Sequence, residues 1–367
     1  MIGKAILKWL MMSINILVAI ILLTTLSGSV ISPDKFIFPA YFSLFFPFTI
    51  ILNICFVFFW LLVRKWTFLL SLCLLLFSAN RINDTFPIHF NKAKTEIATQ
   101  PIRILTYNTM MCGKLKKHTT SNPNMVIQYI LDSKADIVCL QEYTVSSKDE
   151  FLTHEDLLRI FSKYPYKHIQ YKQIEKNKRS GVATFSMYPI VNKQQVKYLS
   201  RYNTSIFSDI KIHGKAIRLI NNHLESNRLT EKDKDMPISL KDKFDAEHLT
   251  GITLHFSKKL GAAYKLRANQ ADAVAKVIET SPYKVIVCGD FNDVPASYAY
   301  TKVKGNLKDA FSETCNGFGW TFNDRYYHFR IDYLLYDQTA FSALTFKLDK
   351  VKYSDHYPVL CELNMKM

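Results

Sequence analysis

Two regimes of hydrophobic patterning divide the chain near residue 80. Before it, apolar residues run almost without interruption. Trp9 to Leu26 gives about one bilayer's worth of apolar helix, with Lys4 and Lys8 at its start. Phe36 to Val63 is another long apolar run, with Pro39 and Pro47 in its first half, which predicts a kink or a delayed helix start. Arg64-Lys65 forms a charged turn, and Trp66 to Ala79 follows as a third apolar segment, short for a span. The pattern predicts a membrane anchor over residues 1–80, with spans at 9–26, 38–63 and 66–79. A signal peptide fits less well, because a second apolar run follows where a small-residue cleavage site and soluble sequence are expected.

Residues 81–100 are polar and without period, and are expected to be a linker. From 101 to 367 the pattern changes to short apolar runs separated by polar turns, as in a water-soluble domain. Strands are predicted at 102–107, 136–140, 166–171, 181–186, 205–212, 216–222, 284–288, 331–336 and 357–363. Helices are predicted at 123–133, near 155–162 and at 266–279. Many strands with few helices imply two sheets packed together, their outer faces covered by helices. Asn227 to Leu260 interrupts the scheme; it is rich in Lys and Asp, with a helix near Phe244–Lys259, and reads equally as a substrate-contacting insert or a solvated excursion.

Composition sharpens this division. Gly (11) and Pro (12) are scarce and aromatic residues reach 14%, which excludes collagen-like, low-complexity and disordered chains. The net charge is +16 over 367 residues, and the first eighty carry five basic residues against one acid, so most of the excess belongs to the soluble domain. Such a balance suits an anionic partner, either nucleic acid or lipid head groups. The seven cysteines form no metal-binding pair and are expected to be small buried hydrophobes. With three spans, Lys4, Lys8, Arg64 and Lys65 share one face, so the positive-inside rule places the N-terminus in the cytoplasm and the domain outside; a merely re-entrant Trp66–Ala79 would return the domain to the cytoplasm.

The candidate chemistry lies in five short segments in which an apolar strand ends on a metal- or proton-handling side chain. They are Leu105-Thr106-Tyr107-Asn108, Cys139-Leu140-Gln141-Glu142, Asn221-Asn222-His223-Leu224-Glu225, Cys288-Gly289-Asp290-Phe291-Asn292 and Ser354-Asp355-His356-Tyr357-Pro358. Each alone has a plain reading as a turn residue or an exposed strand end. Together, strand ends converging on one rim gather carboxylates and amide oxygens, hard ligands suited to Mg²⁺ or Mn²⁺ and poorly to zinc. Phosphoryl chemistry is the natural task of such a set.

These segments resemble the endonuclease/exonuclease/phosphatase superfamily over about 101–364. Ser180-Gly181-Val182-Ala183-Thr184-Phe185-Ser186, Tyr188-Pro189-Ile190, Arg267-Ala268-Asn269-Gln270 and Arg330-Ile331-Asp332-Tyr333 support the resemblance. With its anchor the chain resembles a membrane-attached, bacterial branch of that superfamily, in the cytoplasmic membrane. The resemblance implies a four-layer α/β sandwich of two mainly antiparallel sheets flanked by helices, and hydrolysis of a phosphate ester by metal-activated water. It implies Glu142 as main metal ligand, with Asn108 and Asp355 completing or flanking the site. Asp290 would orient or deprotonate the water, and Asn292 would hold a phosphate oxygen. His356 would face the scissile phosphate with its other nitrogen held by Asp332. His223 would be a phosphate contact or general acid, and Arg267 is expected with His223 and Asn292 among the substrate-binding residues.

The expected activity is a metal-dependent, membrane-anchored phosphodiesterase, nuclease-like by its charge. The alternative is a phospholipid head-group or inositol-phosphate hydrolase, favoured by the anchor. A catalytically dead binding module on a tether is disfavoured, because no metal or histidine position is missing. No protein partner is expected.

Overall fold

The computed structural model describes residues 2–90, 101–230, 232–233, 235–236, 246–325 and 327–366. Two six-stranded sheets face each other. The first has the order β13-β14-β1-β2-β4-β3, built from β1 (Pro101–Asn108), β2 (Ile137–Ser146), β3 (Tyr166–Glu175), β4 (Lys178–Ser186), β13 (Phe341–Leu348) and β14 (Val359–Met365). The second has the order β5-β6-β7-β8-β12-β9, built from β5 (Ile190–Gln195), β6 (Ile206–Ile212), β7 (Lys215–His223), β8 (Lys284–Asp290), β9 (Lys308–Asp309) and β12 (Asp332–Tyr336). A small hairpin, β10 (Phe322–Asn323) with β11 (His328–Phe329), stands apart. The expected sandwich of mainly antiparallel sheets flanked by helices is present, with one parallel pair at the centre of each sheet: β1 with β2, and β7 with β8.

Alternation along the central strands builds the layers. Ile104, Cys139, Cys288 and Cys361 point between the sheets into one core. Leu105, Val138 and Leu140 point the other way, under the Met125–Asp132 helix. Val285 and Val287 pack likewise under the long helix Ala246–Glu279, against Ala271 and Val274. The two helices expected within 244–279 are thus one helix over its described length. Cys139, Cys288 and Cys361 are buried as expected, but Cys55 and Cys73 are exposed, on the outer surface of the N-terminal helices.

One polar contact crosses the sandwich at its edge: His168 of β3 pairs its Nδ1 with Ser208 Oγ of β6 at 3.0 Å. Burial, assisted by the Lys193 charge, holds this imidazole down at about 4. Because the folded state resists protonation, stability is fully present above the ordinary histidine range and lost as pH falls through about 4. Urea midpoints between pH 7 and pH 4 are expected to fall less in His168→Gln than in the parent; equal slopes would remove His168 as a cause.

The strand at 341–348 escaped the sequence reading because it is an edge strand whose alternation is broken by a bulge between Ala343 and Thr345. Strands β5, β9, β10 and β11 were also unforeseen; β5 is an edge strand with mostly exposed side chains, and the other three are two residues long each.

The N-terminal region is helical over Ile2–Ser27, Phe38–Phe42, Phe46–Leu62 and Phe68–Phe77. The second apolar run breaks at Ser43–Phe45, and each proline sits in the first turn of a helix, so the prolines start helices and do not bend them. Two stretches, Ala5–Ser27 and Phe38–Leu62, are long and apolar enough to cross a membrane; the third apolar helix, Phe68–Phe77, has only ten residues. Asn15 ties the bundle together, donating to Ser71 Oγ at 2.8 Å and accepting from Trp60 Nε1 at 2.9 Å.

The segment expected as a linker behaves differently. Ala79–Thr85 is helical, and the buried Asp84 binds Lys304 Nζ at 2.7 Å while its carbonyl accepts from Arg330. The Pro87 carbonyl accepts from Gly317 N at 3.1 Å, and His89 N donates to Asn316 at 2.6 Å. Residues 79–89 are therefore docked on the domain; residues 91–100 lie outside the described part.

Candidate active site

The parallel pairs explain why the site forms where it does. Parallel neighbours end at the same edge, so Asn108 closes β1 opposite Gln141 of β2, and His223 closes β7 opposite Asp290 of β8. Asp332 opens the antiparallel β12 beside Asp290. Facing sheets bring both edges to one cleft. Beneath it, Gln141 Nε2 donates to Asn221 Oδ1 at 2.7 Å, a buried amide clasp that holds the two sheets together.

Two residues reach the cleft through left-handed backbone. Glu142 has φ 51° within a bulge of β2 against β4, which lifts its carboxylate out of the ladder. Asn292 has φ 53° in the turn after β8. A third position needs glycine: at Gly289, φ is 121° and an added Cβ would lie 2.1 Å from the Asn222 carbonyl oxygen. Gly289→Ala is expected to push β7 from β8, lowering the melting temperature and the activity together; unchanged melting would show that the strands can separate without cost.

Asp290 is the hub. Its Oδ2 accepts from Asn108 Nδ2 at 3.0 Å and from Asn292 Nδ2 at 3.2 Å, and its Oδ1 accepts from the Asn292 backbone N–H at 2.8 Å. The Nε2 atoms of His223 and His356 each stand 3.8 Å from Oδ2. Burial raises the Asp290 carboxyl, and the nearby Asp332 adds to this, against His356 and His223.

His356 pairs its Nδ1 with Asp332 Oδ2 at 2.8 Å. Burial pulls this imidazolium down, but Asp332 and Asp290 outweigh it and hold it up at about 10. His223 is the opposite case: burial keeps it below the ordinary range despite Asp290. One histidine is thus charged at neutral pH and the other neutral. The β10 hairpin fixes the His356 loop, since Asn323 N donates to the Asp355 carbonyl at 2.7 Å and the Phe322 ring lies 5.1 Å from the imidazole.

Glu142 and Asp355 complete the rim. Burial, then the charges of Asp355 and Asp290, push the Glu142 carboxyl up to about 7. Three carboxylates crowded this way, with the Asn108 amide, are a hard oxygen set that a divalent cation would neutralise, so the residues fit Mg²⁺ or Mn²⁺. Donor atoms of Asp290, Asp332 and His356 also lie within 4.8 Å of one another, and among the described residues they form a possible metal-holding group. Their pairing reads better as proton handling, since Nδ1 already faces Asp332 and the ring is held protonated.

Of the nine residues expected from sequence, eight converge here: Asn108, Glu142, His223, Asp290, Asn292, Asp355 and His356 line one cavity, with Asp332 behind His356. Arg267 does not. It is fully buried, its guanidinium bound by the Glu225 carbonyl at 2.9 Å, Asp293 at 2.9 Å and Asn227 at 2.6 Å, so it shapes the loops behind the cleft and faces no substrate. Sequence reasoning missed Phe322 and Leu44 as cavity-lining residues. No local pattern marks them, because long-range folding brings each to the cleft. The insert contributes Asn227, Arg228, Leu229, Phe256 and Leu260 to the lining, in line with a substrate-contacting role.

A family model described as the Endonuclease/Exonuclease/phosphatase family matches residues 105–356. A second model, a domain of unknown function, matches residues 8–85. No curated protein matches the chain. Among solved structures, an endonuclease/exonuclease/phosphatase from Beutenbergia cavernae DSM 12333 is similar at 14% identity and TM-score 0.50, covering 72% of each chain. The human Nocturnin catalytic domain with bound sulfate is similar at 16% identity and TM-score 0.47, covering 74% of this chain and 97% of that one.

Proposed function

The chain belongs to the Endonuclease/Exonuclease/phosphatase family, and on that premise we propose that it is a membrane-attached, divalent-metal-dependent phosphodiesterase. The observation that carries this reading is the Asp290 carboxylate with the Nε2 atoms of His223 and His356 each 3.8 Å away, in one cavity with Glu142. Glu142, Asp355 and the Asn108 amide oxygen would hold the cation. Bound there, it supplies charge neutralisation at the phosphate and acidifies water. Asp290, oriented by Asn108 and Asn292, takes the proton of the attacking water. As the new P–O bond forms, the ester P–O bond to the leaving group breaks, and the departing oxygen is protonated from solvent. The His356 imidazolium, held by Asp332, balances charge on a phosphate oxygen. Neutral His223 and the Asn292 amide serve as phosphate contacts.

The N-terminal helices serve as the anchor. Only 22% and 33% of the two long apolar stretches are buried, and Trp9, Leu17, Phe48 and Phe58 are exposed, an outer surface suited to lipid. Phe68–Phe77 is read as a third, shorter pass that ends before Ala79–Thr85, the helix docked on the domain. With Lys4, Lys8, Arg64 and Lys65 on the cytoplasmic side, the domain lies outside. By charge alone the diester is nucleic acid. A lipid head group is favoured by a specific contact, Leu44 of the anchor lining the catalytic cavity.

The test is hydrolysis of a bis-aryl phosphodiester by the full-length protein in Mg²⁺, Mn²⁺, Ca²⁺ or EDTA. Turnover should vanish in EDTA and return with Mg²⁺ or Mn²⁺; undiminished turnover in EDTA would overturn the metal reading. Protease added to spheroplasts should cut the domain if it faces outward, and spare it if it faces the cytoplasm.

A further inference from the structure

Beside the catalytic cavity lies a second cavity between the N-terminal helices and the domain. One wall of this second space, about 390 Å³, is formed by Phe46, Pro47, Phe48 and Ile51 at the start of the second long apolar helix. The facing wall is formed by the turn at Pro295–Ala296 and an aromatic shelf on which Phe318 and Trp320 stack with ring centroids 5.5 Å apart. Leu44, Val294 and Phe329 line both this space and the catalytic cavity of about 330 Å³, so the two are neighbours across a shared apolar sill. The groove's one Lys or Arg among the described residues, Arg330, is buried and turned to Asp309 Oδ2 at 2.7 Å.

We infer that this seam is an acyl-chain groove, and that the phosphodiester substrate is a membrane lipid whose head group enters the catalytic cavity while a tail rests between anchor and domain. The inference rests on the phosphodiesterase reading and adds the substrate class. Three observations favour a lipid over a polynucleotide. The groove wall belongs to a stretch, Phe38–Leu62, that is long and apolar enough to cross a membrane, so a lipid beside that stretch would need only lateral diffusion to reach the groove. Trp320 is half exposed beside the groove, the placement that aromatic side chains take at a membrane–water interface. Beyond the His356 imidazolium at the reacting phosphate, the catalytic cavity offers few cations to the rest of a polyanion: among the described residues lining it the one Lys or Arg is Arg228, which is paired with Glu225 and stacked on Tyr202. The net charge of +16 is compatible with attraction to anionic lipid as well as to nucleic acid.

The test uses the full-length protein reconstituted in vesicles of phosphatidylethanolamine and phosphatidylglycerol, with a parallel set containing sphingomyelin. Released phosphorylated head group is measured against the same lipids with six-carbon chains, against plasmid DNA, and against the bis-aryl diester. Each buried methylene favours occupancy about fourfold, so long-chain lipid should exceed short-chain lipid in kcat/KM by at least about tenfold. Ile51→Trp, which narrows the groove, should erase that advantage mainly through KM. Equal turnover of both chain lengths, or DNA nicking without lipid turnover, would overturn the groove while leaving the phosphodiesterase reading intact. Loss of every activity, including that on the bis-aryl diester, would instead overturn the underlying reading, and the groove with it. A phospholipid with a photoreactive tail terminus provides a readout independent of any variant's folding. It should label Pro47–Ile51 or Phe318–Trp320; labelling confined to the outer face of Ala5–Ser27 counts against the groove.

Discussion

Glu142→Gln is expected to reduce turnover by about three orders of magnitude while leaving the melting temperature unchanged or raised. The activity loss follows from chemistry: an amide of the same shape cannot carry the charge that a hard divalent cation requires, and loss of preorganised charge stabilisation costs about 10²–10³-fold or more. The stability direction follows from electrostatics. Glu142 is pushed up to about 7 by burial and by Asp355 and Asp290, so its charge is a burden on the metal-free fold. Removing that charge relieves repulsion, as at other sites built for function at the expense of stability. Steady-state kinetics at saturating Mg²⁺ and a thermal melt in EDTA check both halves. Normal turnover would remove Glu142 from the site. A lower melting temperature would mean that its contacts, and not its charge, dominate.

The second large effect is at the His356–Asp332 pair. His356→Ala is expected to lower kcat by about 10²–10³-fold, the range associated with loss of a preorganised group that stabilises charge on the reacting phosphate. Asp332→Asn should lower kcat less, because the imidazole remains but loses the carboxylate that fixes its ring and holds it protonated. Cation affinity, measured by titrating Mg²⁺ into each variant and following Trp fluorescence or heat, should change little in His356→Ala. Collapse of that affinity would make the Asp290, Asp332 and His356 group a metal centre and not a proton-handling pair. Combining the two substitutions tests whether they act as a unit: the double variant should be no worse than His356→Ala alone.

The ends of the molecule differ in how far their sequences reveal them. The strands of the parallel pairs are buried on both faces and read as continuous apolar runs, which is why β1, β2, β7 and β8 and the polar residue at each end were legible. Edge strands such as β13 lack that pressure, and a bulge removes the remaining alternation. Arg267 illustrates a different limit. A sequence motif records that an arginine is required, but burial against Asp293, Asn227 and the Glu225 carbonyl, and not contact with substrate, is what requires it. Cys55 and Cys73 show the same limit for hydrophobic residues, since the exposed surface of these apolar helices has the composition of a core.

The sequence by itself determined the division into an apolar N-terminal region and a two-sheet domain, and the identity of the hard-ligand and histidine set, because periodicity and side-chain chemistry are local properties. Only the tertiary structure decided which histidine carries charge, since that depends on burial and on carboxylates distant in the chain: Asp332 beside His356, and Asp290 near both rings. It alone also placed Leu44 of the N-terminal region along the same cavities as Val294 and Phe329 of the domain, a long-range juxtaposition that no local pattern encodes. Desolvation and proximity are long-range outcomes of packing, and they turn a set of candidate side chains into a site with assigned roles.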